Sequence, residues 1–181
     1  MLTELQKRKL TKLFCMYDNN CGGFLEYQDF QNVLSKLARL RNWSSRSSKY
    51  LILENTLKAR WKKLEQAADT SHNKQVNLEE WLNYYDEILS DGQKYNEQVR
   101  ALVEVLFEAF DRDGDGKINQ QEWSELLGVY NISPVYVSSI FPKIDINSDG
   151  VLTKEELLEL IRDFYYSNDP ENPANFMFGP Y

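Results

Sequence analysis

Two stretches of this 181-residue chain, 111–122 and 145–156, repeat one twelve-residue pattern, and that pattern narrows the possible folds more than any other feature. The first places Asp111, Asp113, Asp115, Gly116, Lys117, Ile118, Asn119 and Glu122 at positions 1, 3, 5, 6, 7, 8, 9 and 12. The second places Asp145, Asn147, Asp149, Gly150, Val151, Leu152, Thr153 and Glu156 at the same positions. Oxygen-bearing side chains recur at every second residue, a glycine follows, and a glutamate closes the run. A match at this many constrained positions, twice in one chain, is a specific signal.

The physical demand behind the pattern is coordination of a hard cation. Calcium takes six to eight oxygens at ~2.3–2.6 Å, and a loop of this length offers them from positions 1, 3, 5, 7, 9 and 12. Position 7 contributes a backbone carbonyl, so Lys117 and Val151 count as ligands regardless of side chain. Position 6 turns the backbone through positive φ, which glycine does without strain. The expected ligand sets are Asp111, Asp113, Asp115, Lys117 and Glu122, and Asp145, Asn147, Asp149, Val151 and Glu156.

Two further stretches follow the pattern with departures. Stretch 69–80 offers Asp69, Ser71, Asn73, Gln75 and Glu80 at positions 1, 3, 5, 7 and 12, but carries Lys74 where glycine is wanted. A side chain there costs about 1 kcal/mol, which several metal–oxygen bonds offset, so this loop is expected to bind. Stretch 18–29 offers Asp18, Asn20, the carbonyl of Phe24, and Asp29. Gly22 at position 5 has no side-chain oxygen, and Asp29 is one methylene short of a bidentate glutamate. Two readings stay open for it: a weaker site favouring a smaller ion such as magnesium, or a structural loop without metal.

Around these loops apolar residues recur with a period of 3.6, the signature of amphipathic helices. Leu2, Leu5, Leu10, Leu13, Phe14 and Tyr17 form one stripe; Phe30, Val33, Leu34, Leu37 and Leu40 a second; Leu102, Val103, Leu106, Phe107 and Phe110 a third; Leu157, Leu158, Ile161 and Phe164 a fourth. The loops begin at Asp18, Asp69, Asp111 and Asp145, at intervals of 51, 42 and 34 residues. Unequal intervals exclude a solenoid and fit helix–loop–helix units on connectors of varying length. The longest connector, around 41–49, reads as a loop. Pro170, Pro173 and Pro180 keep 166–181 from forming one continuous helix.

Composition removes other classes. The net charge of −7 disfavours binding to a polyanionic nucleic acid and suits a cation collector. The two cysteines, Cys15 and Cys21, make no disulfide framework, no secretory signal is read at the start, and no run reaches a membrane span. A cytoplasmic protein is expected. The one histidine, His72, lies inside the second loop. It leaves zinc binding and Ser/His/Asp or Cys/His catalysis without a candidate, so the expectation is a binding protein and not an enzyme. With three divalent ions bound, the formal charge would move from −7 to −1, and with four to +1.

Beyond the loops, the run from Val76 through Trp81 to Leu82 and the ending Asp163 to Pro180, with Asp169, Pro170, Pro173, Asn175, Phe176, Phe178 and Gly179, carry a resemblance. The chain resembles the sarcoplasmic calcium-binding protein and calexcitin group and its prokaryotic calerythrin-like relatives. An Asp at position 12 of the first loop is also a habit of that group. The resemblance implies an all-α protein of the EF-hand superfamily, with two EF-hand pairs packed as one compact globule and short loop-to-loop β contacts. The expected division is an N-terminal pair at 1–92, a C-terminal pair at 93–165, and an aromatic tail at 166–181 packing on the globule. Trp81, Leu82, Tyr84, Tyr85, Ile88 and Leu89 agree, being too apolar for the exposed central helix of a dumbbell.

The resemblance further implies an intracellular calcium buffer, with magnesium as a competitor and a monomer as the expected state. The alternative is a calexcitin-like sensor that meets a membrane or protein target. A switch of the open-groove kind exposes methionines, and this chain has three, Met1, Met16 and Met177, in no helical stripe. Phe176, Met177, Phe178 and Tyr181 are expected to fill the groove that a target helix would take. In favour of a sensor, nine basic residues from Lys36 to Lys63 stand against Glu54 alone, a strip that could touch anionic lipid or an acidic partner. A light-emitting relative would need histidine around an organic substrate, and His72 is not placed for that.

Overall fold

The computed structural model describes residues 1–179, so Tyr181 of the expected tail plug lies outside the described residues. Helix α1 (Glu4–Tyr17), strand β1 (Phe24–Leu25) and α2 (Tyr27–Arg41) flank and cross the first loop, and α3 (Ser48–Ala68), β2 (Val76–Asn77) and α4 (Leu78–Ser90) the second. After Asp91 come α5 (Gly92–Tyr95), a π turn (Asn96–Arg100) and α6 (Ala101–Phe110). The third loop carries β3 (Lys117–Asn119) into α7 (Gln120–Val129). A 3-10 turn (Pro134–Tyr136), α8 (Val137–Ile144), β4 (Val151–Thr153) and α9 (Lys154–Tyr166) complete the fourth, and Pro173–Phe176 forms a last 3-10 turn.

The loops themselves start the helices that leave them. Asn77, Asn119 and Thr153 at position 9 are N-caps, and their side chains accept the backbone N–H of Glu80, Glu122 and Glu156. Each glutamate returns one carboxylate oxygen to the cap's own N–H, closing a capping box. The closing glutamate therefore divides its two oxygens. One holds the helix start and the other faces back over the loop.

Pairing follows position 8. Strands β1 and β2 are antiparallel with Leu25 opposite Val76, and β3 and β4 with Ile118 opposite Leu152. All four of these side chains have 0 % exposure, so each pair of loops is pinned to the core at its centre.

One core runs through both halves. Tyr17 stacks on Phe30 at 4.9 Å, Trp81 packs on Tyr85 at 4.6 Å, and Tyr85 stacks on Tyr165 at 5.6 Å. Phe164 and Trp123 then meet Phe178 at 5.2 and 6.4 Å. Such pairs have preferred geometries and add to plain area burial. This is the compact arrangement expected from the apolar α4.

Three details differ from the periodicity reading. Leu40 is 40 % exposed, because in the last turn of α2 it is Ala38 and the Arg41 side chain that face inward. The connector is shorter than 41–49: Arg41 belongs to α2, where Asn42 caps the helix in the left-handed region, and Ser48 and Lys49 belong to α3. Lys9, which reads as a polar interruption of the first stripe, is buried. Its Nζ donates to the Ser167 carbonyl at 2.8 Å, at the end of α9, and lies 5.5 Å from the Phe164 ring. The negative end of a helix dipole suits a cation.

Candidate metal centres

All four loops share one internal scaffold. The first aspartate ends the incoming helix and then reaches across the loop. Oδ2 of Asp18, Asp69, Asp111 and Asp145 accepts the N–H at position 6 from Gly23, Lys74, Gly116 and Gly150, at 2.8–2.9 Å. Position 6 has φ of +81°, +62°, +81° and +86° in the same order. Lys74 thus takes up the backbone shape that glycine takes elsewhere, and the departure at loop 69–80 leaves its geometry intact. Position 4 is left-handed as well, at Cys21, His72, Gly114 and Ser148. Loop 111–122, with Gly114 and Gly116, meets both demands without strain.

The acidic groups converge most tightly in the third loop. Carboxylate oxygens of Asp111, Asp113 and Asp115 lie within 4.8 Å of one another. Three like charges at that spacing repel, and a divalent cation among them reverses the sign. Glu122 closes over them: Oε1 accepts the Arg112 N–H at 2.8 Å and Oε2 the Asn119 N–H at 3.0 Å. In the fourth loop, Glu156 Oε1 accepts from the Asn147 amide at 2.6 Å and Oε2 from the Thr153 N–H at 2.9 Å. Asn147 Oδ1 accepts the Asp149 N–H at 2.9 Å, and Asp149 Oδ1 the Val151 N–H at 3.1 Å.

In the second loop, Glu80 Oε1 gathers the Thr70 N–H at 3.1 Å and hydroxyl at 2.9 Å. Burial raises the Glu80 pKa, but donors from Asn77 and Thr70 outweigh it and hold the carboxyl below its ordinary range. Asp69 behaves likewise: burial pushes it up, and the Lys74 and Asn73 N–H groups and Ser71 hydroxyl bring it down. Ser71 Oγ donates to Asp69 Oδ1 at 3.1 Å, and Asn73 Oδ1 accepts the Gln75 N–H at 2.8 Å. Position 7 therefore stands in place to present its carbonyl.

The first loop is the informative one. Gly22 donates to Asp18 Oδ1 at 2.9 Å and to Asn20 Oδ1 at 2.7 Å. A Cβ on Gly22 would come within 2.7 Å of that Asn20 oxygen, so the missing side chain lets the Asn20 carboxamide fold over the loop. Phe24 opens β1 and pairs with Asn77. Asp29 has 0 % exposure; its Oδ2 accepts the Glu26 N–H at 3.0 Å, and its Oδ1 is buried with no partner. Burial raises its pKa, and the neighbouring Asp18 carboxylate adds to the shift. A buried carboxylate oxygen without a hydrogen-bond partner, beside a second carboxylate, suits a cation. Across all four loops the donor set is oxygen only, as calcium and magnesium require.

Comparison with known proteins agrees with this geometry. The family profile for an EF-hand domain pair matches residues 99–162. Calerythrin of Saccharopolyspora erythraea is 23 % identical over 168 residues, covering 92 % of this chain and 95 % of the relative. Calexcitin-1 of Caenorhabditis elegans is 19 % identical over 177 residues, covering 95 % and 85 %. The solved sarcoplasmic calcium-binding protein from amphioxus superposes with a TM-score of 0.80 at 19 % identity, covering 100 % of both chains. The chain is an EF-hand protein related to the sarcoplasmic calcium-binding proteins, calerythrin and calexcitin. It is a calcium-binding protein.

The two EF-hand pairs also touch through residues that spacing did not single out. Arg41 on α2 donates to the Ala109 and Phe110 carbonyls and to Glu125 on α7. Glu125 also accepts from Arg112 of the third EF-hand loop at 3.1 Å. In the opposite direction, Asn19 of the first loop accepts from Lys36 at 2.8 Å and from Asn131 beyond α7. Long-range charge pairs of this kind leave no periodic trace in a sequence. The capping boxes did leave one, since Asn77, Asn119 and Thr153 each precede a glutamate by three residues.

Proposed function

We propose that this EF-hand protein is an intracellular calcium buffer of the sarcoplasmic type. Calcium is held at Asp69, Ser71, Asn73, Gln75 and Glu80, at Asp111, Asp113, Asp115, Lys117 and Glu122, and at Asp145, Asn147, Asp149, Val151 and Glu156. The first loop, through Asp18, Asn20, Phe24 and Asp29, is a weaker divalent site with a preference for magnesium. The orphan Oδ1 of Asp29 supports metal over a purely structural role.

One observation carries the buffer reading: the tail is seated in the core. Ala174, Met177 and Phe178 are 0 %, 0 % and 8 % exposed, and Phe178 lies between Trp123 and Phe164. Met16 and Met177 are both buried. A sensor of the open-groove kind needs that space for a target. The basic strip argues the same way in part. Arg60 is buried, Arg41 is committed to Glu125, and Lys36 to Asn19 and Asn131. Three of its nine cations are therefore already engaged within the protein.

The test is a hydrophobic dye added to the full-length protein with calcium and with chelator. A buffer gives no more dye emission with calcium than without. A calcium-dependent rise would support the sensor reading and contradict this one.

A further inference from the structure

A cavity of about 80 Å3 lies at the centre of the molecule, walled by side chains from both halves and by Phe178 of the tail. Its wall is almost wholly aliphatic and aromatic. Two N–H donors interrupt it, from Arg60 on α3 and Trp123 on α7. These side chains are 8 % and 1 % exposed. Arg60 spends Nη1 on the Gln98 carbonyl and Nη2 on the Tyr85 hydroxyl. Its Nε–H has no acceptor, and neither has the Trp123 Nε1–H.

The charge is equally unanswered. Among the described residues, no carboxylate pairs with Arg60. The groups around it are phenols, of Tyr85, Tyr17, Tyr84 and Tyr165. Burial holds the Tyr17 and Tyr165 hydroxyls above their ordinary range, so they are neutral at physiological pH. A guanidinium does not give up its proton in a protein, and a buried cation without a counter-charge is costly. Two orphan donors and one unmatched charge on the wall of a single apolar cavity define a complementary guest: an anion with acceptor oxygens and a compact apolar body.

We propose that this cavity binds a small carboxylate of the size of acetate, with its oxygens on the Arg60 Nε–H and its methyl group among Leu102, Leu126 and Ile161. Size narrows the class. An apolar cavity of about 150 Å3 holds the six carbons of benzene, so about half that volume suits three or four heavy atoms in all, the size of acetate. Met16, also in the wall, is a side chain that adapts its shape. The site is separate from the four loops and does not depend on the buffer reading.

The test is nitrogen-15 NMR of the calcium-loaded protein titrated with acetate, with acetamide as the uncharged comparator. The Arg60 Nε–H and Trp123 Nε1–H resonances should move saturably with acetate, with a dissociation constant on the order of 1 mM for so small a ligand. Acetamide should bind at least about tenfold more weakly, the loss of one charge-assisted contact. Arg60→Met, which fills similar volume, should abolish the acetate-induced shift of Trp123. Should that variant fail to fold, the acid–amide comparison on the native chain decides alone. Linear, unsaturating shifts, or equal responses to acid and amide, would overturn the proposal and leave solvent as the occupant.

Discussion

At the scale of single residues, the loops show which departures from the ideal pattern matter. Lys74 adopts φ +62° and keeps the bond from its N–H to Asp69 Oδ2 at 2.8 Å. Lys74→Gly relieves about 1 kcal/mol of left-handed strain but adds a comparable entropy to the unfolded chain. The two nearly cancel, so calcium affinity of loop 69–80 should change by less than about fivefold; calorimetry on the variant measures it. Asp29 is the opposite case. Asp29→Asn keeps the shape but removes the charge of the buried orphan oxygen, and metal binding at the first loop should disappear while the other sites persist. Retention of that site would remove the argument for it. The proposed ligand residues at positions 1, 3, 5 and 12 stand out in the sequence because coordination would tie each one to a fixed position. The left-handed backbone at Cys21, His72 and Ser148 does not, since none of those residue types announces a positive φ.

At the scale of elements, helices were legible from their stripes, and the structure adds that Asn77, Asn119 and Thr153 at position 9 start three of them. What was not legible is how helices from different hands hold one another. Arg41 ties the end of α2 to the last carbonyls of α6 and to Glu125. Arg41→Ala strands these buried groups and should cost about 3 kcal/mol, read as a lowered urea midpoint. Lys9 ties α1 to the end of α9, and burial lowers its pKa from 10.5 to about 8, with Asp163 resisting the shift. In the unfolded chain the amine titrates at its ordinary value. Below pH 8 both states are charged and the folded state bears the full burial penalty, about 3 kcal/mol. Above pH 8 the folded state loses its proton first, so the unfolded chain binds more protons and stability rises with pH. The buried Tyr17, Tyr130 and Tyr165 have raised pKa values, so their contribution falls away above the ordinary tyrosine value of 10.0. Between pH 8 and 10, chemical denaturation should therefore show increasing stability in the native chain and a flatter profile in Lys9→Met. A native profile that falls across that window would contradict the burial account.

At the scale of the whole molecule, the four loops hold half of the acidic side chains, 14 of 28, while a shared aromatic core joins the halves. Asp111, Asp113 and Asp115 repel one another without a cation, and ion binding is coupled to folding by mass action. Chelation should lower the thermal midpoint measured by circular dichroism. Removal of residues 170–181 should uncover Trp123 and Phe164 and raise dye binding. That both halves would share one core followed from the apolar α4. The central cavity with Arg60 in its wall did not, because a sequence does not show which polar side chain lacks a partner. The most direct test of the account is calorimetric titration of the metal-free protein with calcium, without and with saturating magnesium. The account predicts four sites without magnesium and three with it, the lost one being that of Asp29. Two sites in both conditions, confined to loops 111–122 and 145–156, would contradict it.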